Sequence, residues 1–316
     1  MNSRLFLLVC WLSLMACGKD SAPTKAASSG PTLDLVMTSF FPLQSWAEFL
    51  VDGRIPVQAL QNPEADPAGD LPSRQALQTA QQARLVVFNG ASFESWRRQV
   101  ALPPSRTVET ASKIPTDQLL EYEKRTHAHG AKGEHSHEGI DGHTWMDPRL
   151  AAGQAQVLAE ALSRSFPEWR EELKSRQQVL DGKFAQLEQA FLQRAEAVAA
   201  WPLLANHQAY DYLARRCGWK IKNLDVDPAA ALDPEAEQAI QKQMAGKRGG
   251  LMFWEEQPLA STEKTLQEKF GLESVWMNPA ERPSPDSDAD YFQLMDANLQ
   301  RLDQALQVLA SNPVQD

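Results

Sequence analysis

Residues 167–201, PEWREELKSRQQVLDGKFAQLEQAFLQRAEAVAAW, decide the architecture. Trp169, Leu173, Leu180, Phe184, Leu187, Phe191, Ala195 and Val198 recur in steps of three, four or seven, the period of one helix face. Pro167 stands where a helix can begin. At 1.5 Å per residue the run predicts roughly 50 Å of helix, longer than one small α/β lobe is wide. On both sides the pattern changes to short apolar strands alternating with helical segments. One long helix between two such halves reads as a stiff spine spanning both, in preference to a coiled-coil seam.

Working back from the spine, residues 33–39, LDLVMTS, read as a buried strand that leads through Phe40-Phe41-Pro42-Leu43 into a helix at 45–51. A strand at 55–60, a Pro-rich loop at 62–72, a helix at 73–83, a strand at 85–88 closed by Asn89-Gly90, and a helix at 93–100 follow. Residues 150–166 are amphipathic. Beyond the spine, a strand at 203–205 ends in Asn206-His207, a helix at 210–217 is closed by Gly218, and Asp233-Pro234-Glu235 opens another helix with cap, proline and acid in order. A strand at 251–254 ends in Glu255-Glu256, a helix at 261–270 stops at Gly271, and a strand at 274–277 and a helix at 289–310 complete the chain. This alternation predicts an α/β fold of two lobes, each a parallel sheet flanked by helices, with ligands at the carboxyl ends of the strands.

Residues 127–148, HAHGAKGEHSHEGIDGHTWMDP, hold five of the six histidines; the sixth is His207. Neutral imidazole is the commonest protein ligand for first-row divalent metals, so this density points to a metal. Two kinds of histidine are present. His127, His129, His135 and His137 form two HxH pairs among glycines and charges without apolar periodicity, which reads as a mobile loop with loose, exchangeable metal affinity. His143 instead abuts Thr144-Trp145-Met146 and then Asp147-Pro148, an N-cap and first helical position. A side chain fixed beside a helix start can be a preorganised ligand.

The first residues read as an export signal: Arg4, then an apolar run over 5–16 too short to span a bilayer. Leu14-Met15-Ala16-Cys17-Gly18 resembles a bacterial lipobox, so the expected organisation is a signal peptide at 1–16 and a lipidated Cys17. A Ser/Ala/Pro-rich tether would run to residue 32, followed by a lobe over 33–166 containing the His-rich loop 125–142, the spine at 167–201 and a second lobe over 202–316. Cys10 would leave with the signal and Cys17 carry lipid, so Cys217 alone remains in the folded part, without a disulfide or thiolate cluster. The net charge of −10, becoming −11 when Arg4 is removed, excludes a nucleic-acid binder.

Several stretches together resemble the solute-binding lipoproteins of zinc and manganese ABC transporters. They are TSFFPL at 38–43, ADP at 65–67, VVFNG at 86–90 with FESW at 93–96, HTWMDPR at 143–149, NHQAY at 206–210 with YLARR at 212–216, and DYFQLM at 290–295 with Asn298-Leu299. They cover nearly the whole chain beyond the tether, in order. The resemblance implies two α/β lobes bridged by one rigid helix, with a metal in the cleft between them. It implies His143 and His207 as ligands, and an acidic ligand before the last helix at Asp290 or Asp288. The chain departs from the family where many members have Asp-Pro-His: here the residues are Asp66-Pro67-Ala68. Glu255, at a strand end facing the cleft, is the favoured replacement, and Asp70 the other candidate.

These readings converge on a divalent metal carried as ligand, zinc first and manganese or iron second, captured outside the cytoplasmic membrane. Delivery would be to an ABC permease, by a monomer tethered through its lipid, with no catalysis. A carboxylate in place of an imidazole favours manganese or ferrous iron, whereas family members with His-rich loops tend to handle zinc. Two other readings stand beside this one: a receptor-fold lipoprotein with a degenerate site, acting as an envelope or adhesion partner, and an exported metallohydrolase. The second lacks HExxH and a nucleophile elbow.

Overall fold

The computed structural model describes residues 32–122, 139–284 and 288–311, together with the backbone of 125–128 and 134–137. Strand β1 (Leu33–Thr38), helix α1 (Phe41–Val51), β2 (Val57–Ala59), α2 (Arg74–Gln82), β3 (Ala83–Phe88) and β4 (Thr107–Glu109) form the first lobe. Its sheet has the order β2-β1-β3-β4, with every pairing parallel. A two-stranded antiparallel ribbon, β5 (Arg125–Ala128) and β6 (Glu134–His137), then precedes α3 (Pro148–Ser165), α4 (Arg170–Leu192) and α5 (Ala195–Ala199). The second lobe runs β7 (Leu203–Ala205), α6 (Asp211–Cys217), β8 (Ile221–Asn223), α7 (Pro234–Met244), β9 (Gly250–Trp254), α8 (Ala260–Phe270), β10 (Leu272–Trp276) and α9 (Tyr291–Ser311). Its sheet is likewise parallel, ordered β10-β9-β7-β8. Among the described residues no helix is long and apolar enough to cross a membrane.

The largest apolar cluster lies between the sheets and takes residues from both: Val36, Leu85 and Val87 from the first, Leu203, Leu251, Phe253 and Val275 from the second. Smaller clusters cover the outer faces, one around Met37 and Trp96, the other around Met252 and Trp254. Alternate residues of one strand therefore feed different cores, as a period of two requires. Helices α1, α4 and α9 meet through Trp46, whose ring packs edge-on at 5.4 Å against both Phe184 and Tyr291. Such pairs add roughly 0.5–1.5 kcal/mol each beyond their buried area.

The expected spine is interrupted. Residues 167–169 form a 3-10 turn, α4 is 23 residues long, and the helix gives way at Gln193 and Arg194 before α5. That leaves about 35 Å of continuous helix rather than the 50 Å expected from the sequence. The break coincides with a tertiary contact: Arg194 turns its guanidinium back to the Ala190 carbonyl at 2.6 Å and onto Asp303 of α9 with two 2.6 Å hydrogen bonds. Residues 93–100 are also less helical than expected, with only a 3-10 turn at Ser95–Gln99. The HxH segment, read from the sequence as a mobile loop, has ribbon pairing in which His127 is in register with His135.

Candidate metal centre

His143 lies in the tight path from Asp141 into α3. Gly142 is required there, because a Cβ would come within 2.8 Å of the Phe93 Cα. The Gly142 carbonyl accepts from Asn89 Nδ2 at 2.9 Å, and Asn89 in turn accepts from Gln154 of α3 at 2.8 Å. Downstream, buried Asp147 caps α3 as expected, accepting from the backbone N–H of Arg149 at 2.9 Å, with Pro148 at the first position. The same carboxylate receives Arg216 of α6 through two 2.9 Å bonds. Trp145 donates to the Pro279 carbonyl at 2.7 Å, and Tyr291 donates to the Trp145 carbonyl at 2.8 Å. The segment bearing His143 is thus fastened to both lobes.

The His143 side chain is 3% exposed and lies between two carboxylates. Its Nδ1 is 2.8 Å from Asp141 Oδ1, its Nε2 is 2.9 Å from Glu281 Oε1, and the Tyr122 hydroxyl is 3.1 Å from Nδ1. Burial alone would lower the imidazole pKa, but the Asp141 carboxylate and then Glu281 outweigh it and push it up to about 10. Burial raises the pKa of Glu281, and the hydrogen bond and charge of His143 more than reverse this, holding it below the usual carboxylate range. A raised imidazole pKa favours the protonated ring between these two acidic side chains.

His207 follows β7, is buried, and its ring centroid is 5.6 Å from that of His143. The β7 end is held by Asn206, which donates from its backbone to the Phe253 carbonyl at 3.0 Å and accepts the Glu255 backbone N–H, also at 3.0 Å. Glu255 is half-buried, its carboxylate 3.2 Å from Asn206 Nδ2, and its charge is felt at both Glu281 and Tyr210. Glu255 thus stands near enough to Glu281 for its charge to oppose ionisation there. Among the described residues no group of three or more His, Cys, Asp or Glu side chains is placed to hold a metal ion.

Other expected residues are differently engaged. Asp290 opens α9, where its carboxylate accepts the Gln293 backbone N–H at 2.8 Å and Gln293 returns the bond to the Asp290 N–H at 2.7 Å, a reciprocal cap. Asp288 is exposed. Asp70 is exposed and accepts the Asp66 N–H at 2.9 Å within its own turn. Ala68 packs against the core cluster, with its carbonyl taking the Ser95 N–H at 2.9 Å and hydroxyl at 2.8 Å, so the departure from Asp-Pro-His is backed by a firmly held backbone. Cys17 and His129 lie outside the described residues, and His127, His135 and His137 are described by backbone alone.

Sequence reasoning missed Glu281. It sits in the loop after β10, next to Ala280, whose φ of 61° is unusual for a residue with a Cβ. The loop also reaches the first lobe, where the Phe41 N–H donates to the Glu281 carbonyl at 3.3 Å. The signal was present: Glu281 is the first acidic residue after the last strand, and the strand-end rule that selected Glu255 applies to it equally.

The fold is two parallel-sheet lobes with the His143 and His207 imidazoles and the Glu281 carboxylate gathered between them. The family model for the periplasmic zinc-uptake complex component A, ZnuA, matches residues 36–305, and the chain belongs to that family. It is 24% identical over 314 residues to the zinc-binding lipoprotein AdcA of Streptococcus pneumoniae (strain ATCC BAA-255 / R6), covering 96% of this chain and 60% of that protein. It is 25% identical over 318 residues to the high-affinity zinc uptake system protein ZnuA of Bacillus subtilis (strain 168), covering 97% of this chain and 98% of the relative. The crystal structure of the metal-dependent lipoprotein YcdH from Bacillus subtilis superposes with a TM-score of 0.72 at 19% identity, over 85% of this chain and 98% of that one. That likeness concerns the fold.

Proposed function

We propose that the chain captures one zinc ion outside the cytoplasmic membrane, through His143, His207 and Glu281 with Glu255 beside them, and passes it to an ABC permease. Manganese is the second cation. The observation that carries this reading is the 2.9 Å approach of His143 Nε2 to Glu281 Oε1 with the His207 ring alongside. Two zinc ligands at tetrahedral angles lie roughly 3.3 Å apart, so a metal can replace the shared proton with a spread of about 0.4 Å. Two imidazoles and one carboxylate form a borderline ligand set suited to zinc. The zinc-binding names of the relatives agree with this assignment. The acidic role expected at Asp290 passes to Glu281, because the Asp290 carboxylate is committed to its helix cap. Anchoring through a lipidated Cys17, action as a monomer, and loose zinc capture by His127, His129, His135 and His137 belong to the same proposal.

The test is a soluble form lacking residues 1–17, stripped with chelator and titrated with zinc and with manganese against an indicator. One tight equivalent should survive deletion of residues 127–137 and disappear in the His143→Ala/His207→Ala double variant. Weak, multiple binding that vanishes with the deletion would overturn the cleft site.

A further inference from the structure

Asp141 is wholly buried and, beyond raising the His143 pKa, has been given no part in metal binding. Its Oδ1 accepts two bonds from one residue, the backbone N–H of His143 at 2.9 Å and the ring Nδ1 at 2.8 Å. Its Oδ2, equally buried, has no hydrogen-bond partner among the described residues. A carboxylate taken out of water with one oxygen unsatisfied costs several kcal/mol unless its charge is used. The groups it faces are the His143 imidazole and the Tyr122 hydroxyl.

The backbone of Asp141 is held just as closely. Its N–H donates to the Leu120 carbonyl at 2.7 Å, and its own carbonyl accepts the Tyr212 hydroxyl at 2.8 Å. That hydroxyl also accepts the Leu120 N–H at 2.9 Å. Tyr212 belongs to α6 of the second lobe, so the position of Asp141 is set by both lobes together.

We propose that Asp141 is the positioning residue that makes His143 a ligand through Nε2 alone, by holding Nδ1–H, and that Tyr212 keeps it in place. Which nitrogen of a histidine takes a metal is decided by the bond the other nitrogen makes, and removing such a partner weakens metal binding roughly 10–100-fold. Without the carboxylate, either nitrogen can carry the proton, and the ring is free to turn away from Glu281. The inference rests on the zinc site proposed above.

The experiment compares Asp141→Asn, Asp141→Ala and Tyr212→Phe with the parent protein, using zinc competition and long-range proton–nitrogen NMR of the histidine rings in the zinc-loaded state. The parent should show His143 with Nδ1–H and zinc on Nε2. Asp141→Ala should lose roughly 10–100-fold in affinity, Asp141→Asn should lose less because its amide oxygen still accepts the Nδ1–H, and Tyr212→Phe should lose least. Zinc on Nδ1 in the parent, or Asp141→Ala binding within twofold of it with an unchanged tautomer, would overturn the inference while leaving the site standing. If Asp141→Ala fails to fold, as judged by its thermal melt, the shape-preserving Asp141→Asn and the parent tautomer decide. A tight zinc equivalent indifferent to His143→Ala would overturn the site itself, and the inference with it.

Discussion

In the proposed site, zinc displaces a proton from His143. In the metal-free protein the two flanking carboxylates push this imidazole up to about 10, whereas only its neutral form can bind a metal. At pH 7 the group is protonated in nearly every molecule, so the apparent affinity lies roughly 1000-fold below its limiting value, about 4 kcal/mol at 1.36 kcal/mol per pH unit. Affinity should therefore rise about tenfold per pH unit from pH 7 to pH 9 and level off only near pH 10. A histidine of ordinary pKa would level off above about pH 6.5. The measurement is chelator competition across that range, with titration calorimetry in two buffers of different ionisation heat. At pH 8 about one proton should be released per zinc, against a few hundredths for an ordinary histidine. A flat affinity between pH 7.5 and 9, with almost no proton release, would refute the imidazolium reading of the site.

Glu281→Gln should abolish tight zinc binding, whereas Asp290→Asn should leave it unchanged and cost at most about 1 kcal/mol of stability in urea unfolding, as expected of a weakened cap. Arg216→Ala leaves the fully buried Asp147 carboxylate without its bidentate partner. It should lower the unfolding free energy by roughly 3 kcal/mol, read from the denaturant midpoint. Because the His143 pKa is raised on folding, its contribution to metal-free stability is full below about pH 6.5 and is lost as the pH rises through about 10. Thermal melts without zinc should fall across that window, and those with saturating zinc should fall less. Ala68→His, on a backbone already pinned by Ser95, should raise zinc affinity at least about tenfold if its imidazole supplies one more ligand; competition titration reads this directly.

The strands and helices that form the two cores were legible because each carries its own apolar run: LDLVMT in β1, ARLVVF in β3 and GLMFW in β9 are strands by composition alone. Thr107–Glu109 and Ile221–Asn223 were not legible, since TVE and IKN become strands only by pairing with β3 and β7 at the sheet edges. The helix break at Gln193 and Arg194 was hidden for a related reason. The apolar period continues through it, and what coincides with it is a tertiary hydrogen bond to Asp303 on a distant helix. At the candidate site, the motif around His143 and the strand end before His207 pointed to the two imidazoles. Glu281 was missed because an aperiodic loop gives no register, and an acid at a helix start is read first as a ligand or a cap. Asp290 has the cap's geometry.

The ribbon β5–β6 leaves the body between Tyr122 and Gly139, whose backbones are joined by a 2.8 Å hydrogen bond. Helix α6 grips this base at two further points: Tyr212 between Leu120 and Asp141, and Arg215 on the Gln118 carbonyl at 2.8 Å. With its ends joined in this way, the intervening chain can change length at little thermodynamic expense, since doubling a flexible loop adds only about 0.6 kcal/mol of closure entropy. The base thus works as an insertion port. Descendants of this gene could lengthen, shorten or rewrite the histidine segment between the two clamped residues, while the geometry around His143 passes unaltered from one version to the next.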